Sequence, residues 1–82
     1  MRIKYKIGDK IRLIKINDVS MFFLDKDIAN KLKIKVGSIG TIFDISNFGI
    51  NITIEFDNIK DKLIDVHYEQ IEFKYLKNLK KL

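Results

Sequence analysis

Two alternating segments within residues 37–58 constrain the fold of this chain more than any other feature. The first begins at Gly37, contains Gly40 and predicts a strand at about residues 39–46. The second, residues 50–56, alternates isoleucine and phenylalanine with polar residues. A period of two places successive side chains on opposite faces of a strand, and Asn47–Gly49 supplies turn residues between the segments. The sequence therefore predicts an antiparallel pair at the centre of a small, strongly curved β-barrel.

The remaining segments predict three further strands and one inserted helix. Ile3, Tyr5 and Ile7 alternate with lysines and are expected on the inner face, as is Phe43. Gly8-Asp9 makes a tight turn, and a strand follows at about residues 10–16. Asp25 is a candidate N-cap for a helix at about residues 25–33, since aspartate accepts hydrogen bonds from free backbone N–H groups there. Later we expect a strand at 63–67, a 3₁₀ turn at 68–70 and a strand at 71–73 that pairs with the first. The predicted closed five-stranded shell has its core at Ile11, Leu13, Ile42, Ile52, Ile54 and Phe56.

Length and composition predict one small domain. The chain has 82 residues and no cysteine, so disulfides and thiolate metal sites are excluded. The core spans about residues 3–73, with an insertion at 17–36 and a basic tail at 74–82 that spaces three leucines as a short amphipathic helix would. The N-terminal segment lacks the apolar run of a signal peptide, and the longest apolar run is far shorter than a membrane span. We therefore expect a soluble, cytoplasmic protein with no membrane partner.

The five strands and their turns resemble the SH3-like barrels of bacteria and phages. The matching segments are residues 5–13, 37–42, 52–57 and 69–72, which read YKIGDKIRL, GSIGTI, ITIEFD and EQIE. The framework is also similar to KOW-type modules of ribosomal and transcription factors, and to small SH3-like proteins of Gram-positive mobile elements. It departs from KOW usage because about twenty residues replace the short basic loop between the first two strands. SH3-like barrels serve many functions, so the resemblance implies a fold rather than an activity.

Charge is distributed unevenly along the chain. Residues 1–36 carry ten Lys and Arg against four acids, residues 37–73 carry two against seven, and residues 74–82 carry four against none. Basic side chains on one face of neighbouring strands can follow a phosphate backbone, which predicts nucleic-acid binding as an alternative function. The same lysines are also typical of a solvated surface in a protein from an AT-rich genome. The candidates for nucleic-acid contact are Lys4, Lys6, Arg12, Lys15, Lys33 and Lys35, with Phe22, Phe23, Phe48 and Tyr75 as candidates for base stacking.

A run of four large apolar residues lies inside the insertion. Such a run either covers an open end of the barrel or forms an exposed docking patch, and Phe48 at a loop tip would extend such a patch. Charged residues around an apolar centre are typical of protein–protein contact surfaces. The candidates for protein contact are Met21, Phe22, Phe23, Leu24 and Phe48.

No residue pattern predicts catalysis. His67 is the sole histidine and is expected on the outer face of a strand, next to buried Val66. No spacing supplies the three or four ligands of a zinc site, and acids near turns are typical of turn formation. Gly37 and Gly40 precede a strand rather than a helix, unlike a phosphate-binding loop. We therefore expect no enzyme activity, cofactor, metal or small-molecule substrate.

These observations favour a non-catalytic protein-interaction module, of the kind used as an accessory or inhibitory protein of a phage or mobile element. Its partner would be another protein, contacted through the insertion at residues 17–36 and the adjacent loop tips. Nucleic-acid binding through the basic residues is the alternative, and self-association through opposed charge is a third.

Overall fold

The computed structural model describes residues 5–18 and 23–74, and these form a mainly β structure with one α-helix. Five antiparallel strands form one sheet in the order β4-β3-β2-β1-β5. In chain order the elements are β1 (Lys10–Leu13), α1 (Lys26–Leu32), β2 (Ile39–Ser46), a 3₁₀ turn (Asn47–Gly49), β3 (Asn51–Phe56), β4 (Ile64–His67), a second 3₁₀ turn (Tyr68–Gln70) and β5 (Ile71–Phe73).

The core lies on the face of the sheet where the alternating apolar residues meet α1 and the segment before it. All six residues predicted for the core are buried, which confirms that part of the sequence analysis. Leu24, Ala29 and Ile34 from the insertion pack into the same cluster. The insertion is therefore part of the packed structure. The full set of buried apolar residues is Ile11, Leu13, Leu24, Ala29, Ile34, Ile42, Ile52, Ile54, Phe56, Ile64, Val66 and Ile71.

Helix α1 begins and ends with recognisable local structures. The Asp25 side chain accepts a hydrogen bond from the Ile28 backbone N–H at 3.0 Å, which confirms the predicted N-cap. At the other end Lys33 adopts the left-handed conformation, with φ 59° and ψ 43°. The Ile34 N–H then donates to the Ala29 carbonyl at 2.8 Å, which is the long hydrogen bond of a Schellman motif.

The sheet is open, whereas the sequence predicted a closed shell. The predicted pairing of the last strand with the first is confirmed, since β5 pairs with β1 from Leu13↔Ile71 to Ile11↔Phe73. However, β4 and β5 are the two edges of the sheet, and no strand pairing joins them in the described residues. The 3₁₀ turn between them redirects the chain, because the Gln70 carbonyl accepts hydrogen bonds from Ile14 N–H and Lys15 N–H beyond the end of β1.

Two apolar residues expected on the inner face are exposed instead. Ile7 is 65% exposed because residues 6–9 form a turn, in which the Asp9 N–H donates to the Lys6 carbonyl at 3.0 Å. Phe43 is 56% exposed because the register of β2 against β3 shifts between Ile42 and Asp44. Such a bulge inserts one residue into the strand and interrupts its alternation. The predictions of an inward Ile7 and an inward Phe43 were therefore wrong.

The basic tail and several candidate residues lie outside the described part of the chain. These are the predicted tail beyond Lys74, Met21 and Phe22 of the apolar run, Lys4, and Tyr75. Within the described segments, none of the helical stretches has the length and apolar character that crossing a membrane requires.

Candidate functional site

The loop between β2 and β3 presents Phe48 entirely to solvent. Its relative exposure is 104%, the highest of the large apolar residues in the described part of the chain. Asn47, Phe48 and Gly49 have successive positive φ angles of 54°, 58° and 92°. Asparagine and glycine tolerate this left-handed conformation, whereas a bulky side chain is strained in it. Phe48 therefore neither packs against the protein nor suits its backbone.

Phe23 is a second phenylalanine in the left-handed region, with φ 64°. It is half-buried, and its ring meets the His67 ring edge-on at a centroid distance of 5.0 Å. Its neighbour Leu24 is fully buried in the core, so the Leu24 side chain offers no surface to a partner. In the described half of the apolar run, Leu24 covers the core while Phe23 remains partly accessible.

Contacts connect Phe23 to the loop that carries Phe48. The His67 ring stacks on the Tyr68 ring at 4.6 Å and 29°, and the Tyr68 N–H donates to the Ile50 carbonyl at 3.1 Å. Ile50 is itself partly exposed and follows directly after the loop. Because Asn51, directly after the loop, pairs with His67, all of these residues lie at the same end of β3 and β4, which we call the aromatic end: Phe23, Phe48, Ile50, His67 and Tyr68.

One buried polar atom in this region has no partner. Asn51, at the start of β3, is paired in register with His67 on β4. Its side-chain oxygen Oδ1 is buried and accepts no hydrogen bond within the described residues. Buried polar atoms are satisfied in nearly all native structures, so an exception calls for an explanation.

The Gln70 side chain holds the insertion against this end of the sheet. Its Oε1 accepts from His67 N–H at 2.9 Å and from Leu24 N–H at 3.4 Å. Its Nε2 donates to the carbonyls of Leu24 at 2.8 Å and Lys15 at 3.2 Å. A cavity of about 140 Å³ remains beside it. The residues that line this cavity are Lys15, Asn17, Phe23, His67, Glu69 and Gln70.

His67 has a structural partner for one ring nitrogen. Its Nδ1 accepts a hydrogen bond from the Glu69 N–H at 3.0 Å and caps the second 3₁₀ turn. The neutral ring therefore carries its proton on Nε2. As the sequence predicted, the neighbouring Val66 is buried, but His67 is half-buried under Phe23 and Tyr68 rather than freely exposed.

The basic candidates that lie in the described part of the chain do not form one strand face. Arg12 donates through Nε to Glu72 of β5 at 2.8 Å and is bound to that carboxylate. Lys6 and Lys15 are exposed, at opposite ends of β1. Lys33 and Lys35 are brought together in a separate place, in a groove of about 540 Å³ between the end of α1 and the turn after β3. The groove is lined by Ala29, Asn30, Lys33, Ile34, Lys35, Ser38 and Asn58.

Acidic residues lie on the outer face of the sheet. Asp44, Thr53 and Asp65 form one row across β2, β3 and β4, and the Thr53 hydroxyl donates to Asp65 Oδ1 at 2.7 Å. In residues 5–18 and 23–74, no group of three or more His, Cys, Asp or Glu could hold a metal ion.

Several residues of these two regions were not identified from the sequence. Ile50 and Tyr68 join the aromatic end through pairing of β3 with the segment after β4, which no local pattern indicates. Asn30 and Asn58 come together only through the packing of α1 against the sheet. The asparagine and glycine around Phe48, in contrast, are a turn pattern that could have predicted its left-handed backbone.

Comparison of the chain with models of known protein families, with curated proteins and with solved structures finds no match.

Proposed function

We propose that this protein is a non-catalytic interaction module that binds a protein partner through its aromatic end. The observation that carries the proposal is Phe48, which is fully exposed on a left-handed backbone. A bulky residue held in this conformation costs on the order of 1 kcal/mol or more. In the free protein the Phe48 side chain makes no packing contacts that would offset this cost. A bound partner would supply such contacts.

The surroundings of Phe48 support a contact surface. Exposed aromatic residues near the centre of a patch commonly dominate the energy of protein–protein binding. The stacked rings of His67 and Tyr68 and the edge of Phe23 provide further apolar area, and Lys15 and Glu69 lie at its margin with opposite charges.

We also propose that the fold is an SH3-like barrel whose sheet is incompletely closed. The sheet order, in which β1 lies between β2 and β5, supports it together with the 3₁₀ turn before β5. A role as an accessory or inhibitory protein of a phage or mobile element fits a small module of this kind. The proposed fold and the proposed accessory role rest on the sequence resemblance to SH3-like barrels and on the aromatic end, and neither depends on a catalytic group.

The test replaces Phe48 with a residue that suits its backbone. In Phe48→Asn the turn keeps its conformation, because asparagine adopts left-handed angles readily. We expect the free energy of unfolding to rise by roughly 0.5–1 kcal/mol as strain is relieved, while partner binding is lost. The immobilised protein is exposed to an extract of the cells that produce it, and retained proteins are quantified by mass spectrometry.

The matched control is Phe43→Thr, which removes an exposed phenylalanine from the outer face of β2 and keeps a good strand former. The proposal requires a protein that is retained by the wild type and by Phe43→Thr but not by Phe48→Asn. It is overturned if Phe48→Asn retains the same proteins as the wild type, or if the wild type retains nucleic acid and no protein.

Nucleic-acid binding remains the alternative proposal. Binding by a strand face has less support, because Arg12 is engaged by Glu72 and is not available to a phosphate without breaking that pair. A gel-shift series with duplex and single-stranded DNA and RNA at increasing salt tests it. A strand-face site predicts a shift at low salt that weakens in Lys6→Gln and Lys15→Gln variants.

A further inference from the structure

The groove between the end of α1 and the turn after β3 is lined by positively charged residues that no acid of the described residues neutralises. Lys33 and Lys35 line it, and neither makes an ion pair there. By contrast, Lys10, Arg12 and Lys26 each lie within 4.0 Å of a carboxylate. The lining set contains two lysines, two asparagines and a serine, and no Asp or Glu.

The backbone at Lys33 gives a second, independent indication. Lys33 holds the left-handed position at the end of α1, with φ 59°. Glycine is the usual residue at this position of a Schellman motif, because it has no Cβ to strain. A lysine there costs stability in the folded chain, and Lys33 is one of the residues that line the groove. Strain of this kind is commonly found where a side chain serves a ligand.

We propose that this groove binds the phosphate group of a small phosphorylated molecule. Lysine ammonium groups, side-chain amides and hydroxyls are the donors that commonly contact phosphate oxygens, and all three kinds are present. The Ser38 hydroxyl accepts from the Lys35 N–H at 3.1 Å, which leaves its own proton free to donate. Buried Ala29 and Ile34 form an apolar floor on which the rest of the ligand can lie.

Size and charge favour a small molecule over a nucleic-acid strand. A volume of about 540 Å³ is typical of small-ligand sites. Two adjacent lysines can neutralise one or two phosphates but give no continuous track. Residues 37–73, which include the lining residues Ser38 and Asn58, carry seven acids against two lysines, and this net negative charge disfavours an extended polyanion. This ligand is additional to the protein partner proposed above, and it is not a substrate.

The experiment is a titration of the ¹⁵N-labelled protein, followed by amide chemical shifts. The probes are adenosine 5′-monophosphate, inorganic pyrophosphate, adenosine and a single-stranded oligothymidylate. We expect saturable shifts at Asn30, Ser38 and Asn58 with the two phosphate compounds and none with adenosine. No saturable shift with either phosphate compound at millimolar concentration would overturn the proposal.

The variants are a pair of charge-matched double substitutions. Lys33→Asn with Lys35→Gln removes the groove lysines and keeps a residue that tolerates the left-handed position. Lys6→Gln with Lys15→Gln removes the same charge from the ends of β1. We expect the first to weaken phosphate binding roughly five- to tenfold and the second to leave it within about twofold. Equal effects of the two would show a general charge effect and contradict the site.

Two further results decide the remaining points. If the oligothymidylate binds the groove much more tightly than adenosine monophosphate, the ligand is a strand and the small-molecule proposal is wrong. The spectrum of each variant reports directly whether it is folded. If the variant with Lys33→Asn and Lys35→Gln does not fold, the single variant Lys35→Gln is compared with the wild type instead. Lys35 is exposed and outside every helix and strand, so this substitution should leave the fold intact.

Discussion

Gln70 shows how one buried side chain can hold a long insertion in place. Its amide makes four hydrogen bonds, all with backbone groups: the N–H groups of Leu24 and His67 and the carbonyls of Leu24 and Lys15. A side chain of similar size without polar atoms would fill the same space but leave those groups unsatisfied. Each buried group that loses its partner costs about 1–3 kcal/mol.

We therefore expect Gln70→Leu to lower the free energy of unfolding by about 3 kcal/mol or more. Urea unfolding followed by circular dichroism measures this loss. Glu69→Ala is the control, because Glu69 is exposed and uses its backbone N–H rather than its side chain in the turn. If Gln70→Leu lowers the free energy of unfolding by less than about 1 kcal/mol, the prediction is wrong and water takes over the hydrogen bonds of the Gln70 amide.

The sequence did not indicate this role, and the reason is physical. Gln70 was assigned to a 3₁₀ turn, where a polar residue is ordinarily exposed. Two of its partners, Leu24 and Lys15, lie 46 and 55 residues away along the chain, so only the folded arrangement brings them to Gln70. Phe48, by contrast, was placed at the tip of a local turn by the sequence, and its exposure follows from that position.

At the scale of elements, local patterns predicted boundaries well where the chain alternates regularly. The second strand was predicted at 39–46, the second 3₁₀ turn at 68–70 and the last strand at 71–73, and the structure has these bounds. The strand expected at 10–16 ends at Leu13, because the next two N–H groups bond to Gln70 instead of a strand. The bulge at Phe43 was missed, since its cause is the pairing with β3.

Gly40 is the residue on which the close approach of β2 and β3 depends. A Cβ built on Gly40 would lie 2.5 Å from Ile54 Cγ2, 3.0 Å from the Glu55 carbonyl oxygen and 3.2 Å from Phe56 Cα. Two of these atoms are backbone and the third belongs to a fully buried side chain. The strands would have to move apart to accept even one methyl group.

We expect Gly40→Ala to destabilise the protein by about 2–3 kcal/mol through overpacking. Gly37→Ala is the comparison. Gly37 has φ +101°, and a Cβ added there would meet nothing within 4 Å. This variant is therefore destabilised by backbone strain alone, by about 1 kcal/mol. Thermal unfolding of both variants separates the two costs. If Gly37→Ala is the more damaging, the close contact at Gly40 relaxes easily and β2 is less constrained than its geometry indicates.

At the scale of the whole molecule, the sequence predicted the strand order near β1 but not the shape of the sheet. Alternation identifies which residues face the core, and the pairing of β1 with β5 was expected as the step that closes the barrel; the pairing is present, but the sheet stays open. Closure depends on the distance between β4 and β5, which is set by the three-residue turn and by Gln70. The two candidate sites likewise combine residues from distant segments, so their composition could not be predicted.

Tyr5 links the start of the described chain to its end. Its hydroxyl donates to the Ile71 carbonyl at 3.1 Å, and its ring lies 4.6 Å from that of Phe73. Burial, with smaller contributions from Glu72 and Asp9, raises the pKa of Tyr5 from 10.0 to about 12. The folded protein therefore holds the phenolic proton at pH values where the unfolded chain has released it. This contribution to stability is complete below pH 10 and is lost as the pH rises through about 12.

The corresponding prediction compares Tyr5→Phe with the wild type. The variant lacks the hydrogen bond to Ile71, so its urea midpoint is lower at neutral pH. Between pH 10 and about 12 the wild type should lose stability more steeply than the variant, and the two curves should converge. All other groups are common to both proteins, so their contributions cancel in the difference. Parallel curves across that range would mean that Tyr5 ionises in the folded protein as it does in the unfolded chain, and that the contact joining the two ends opens before the domain unfolds.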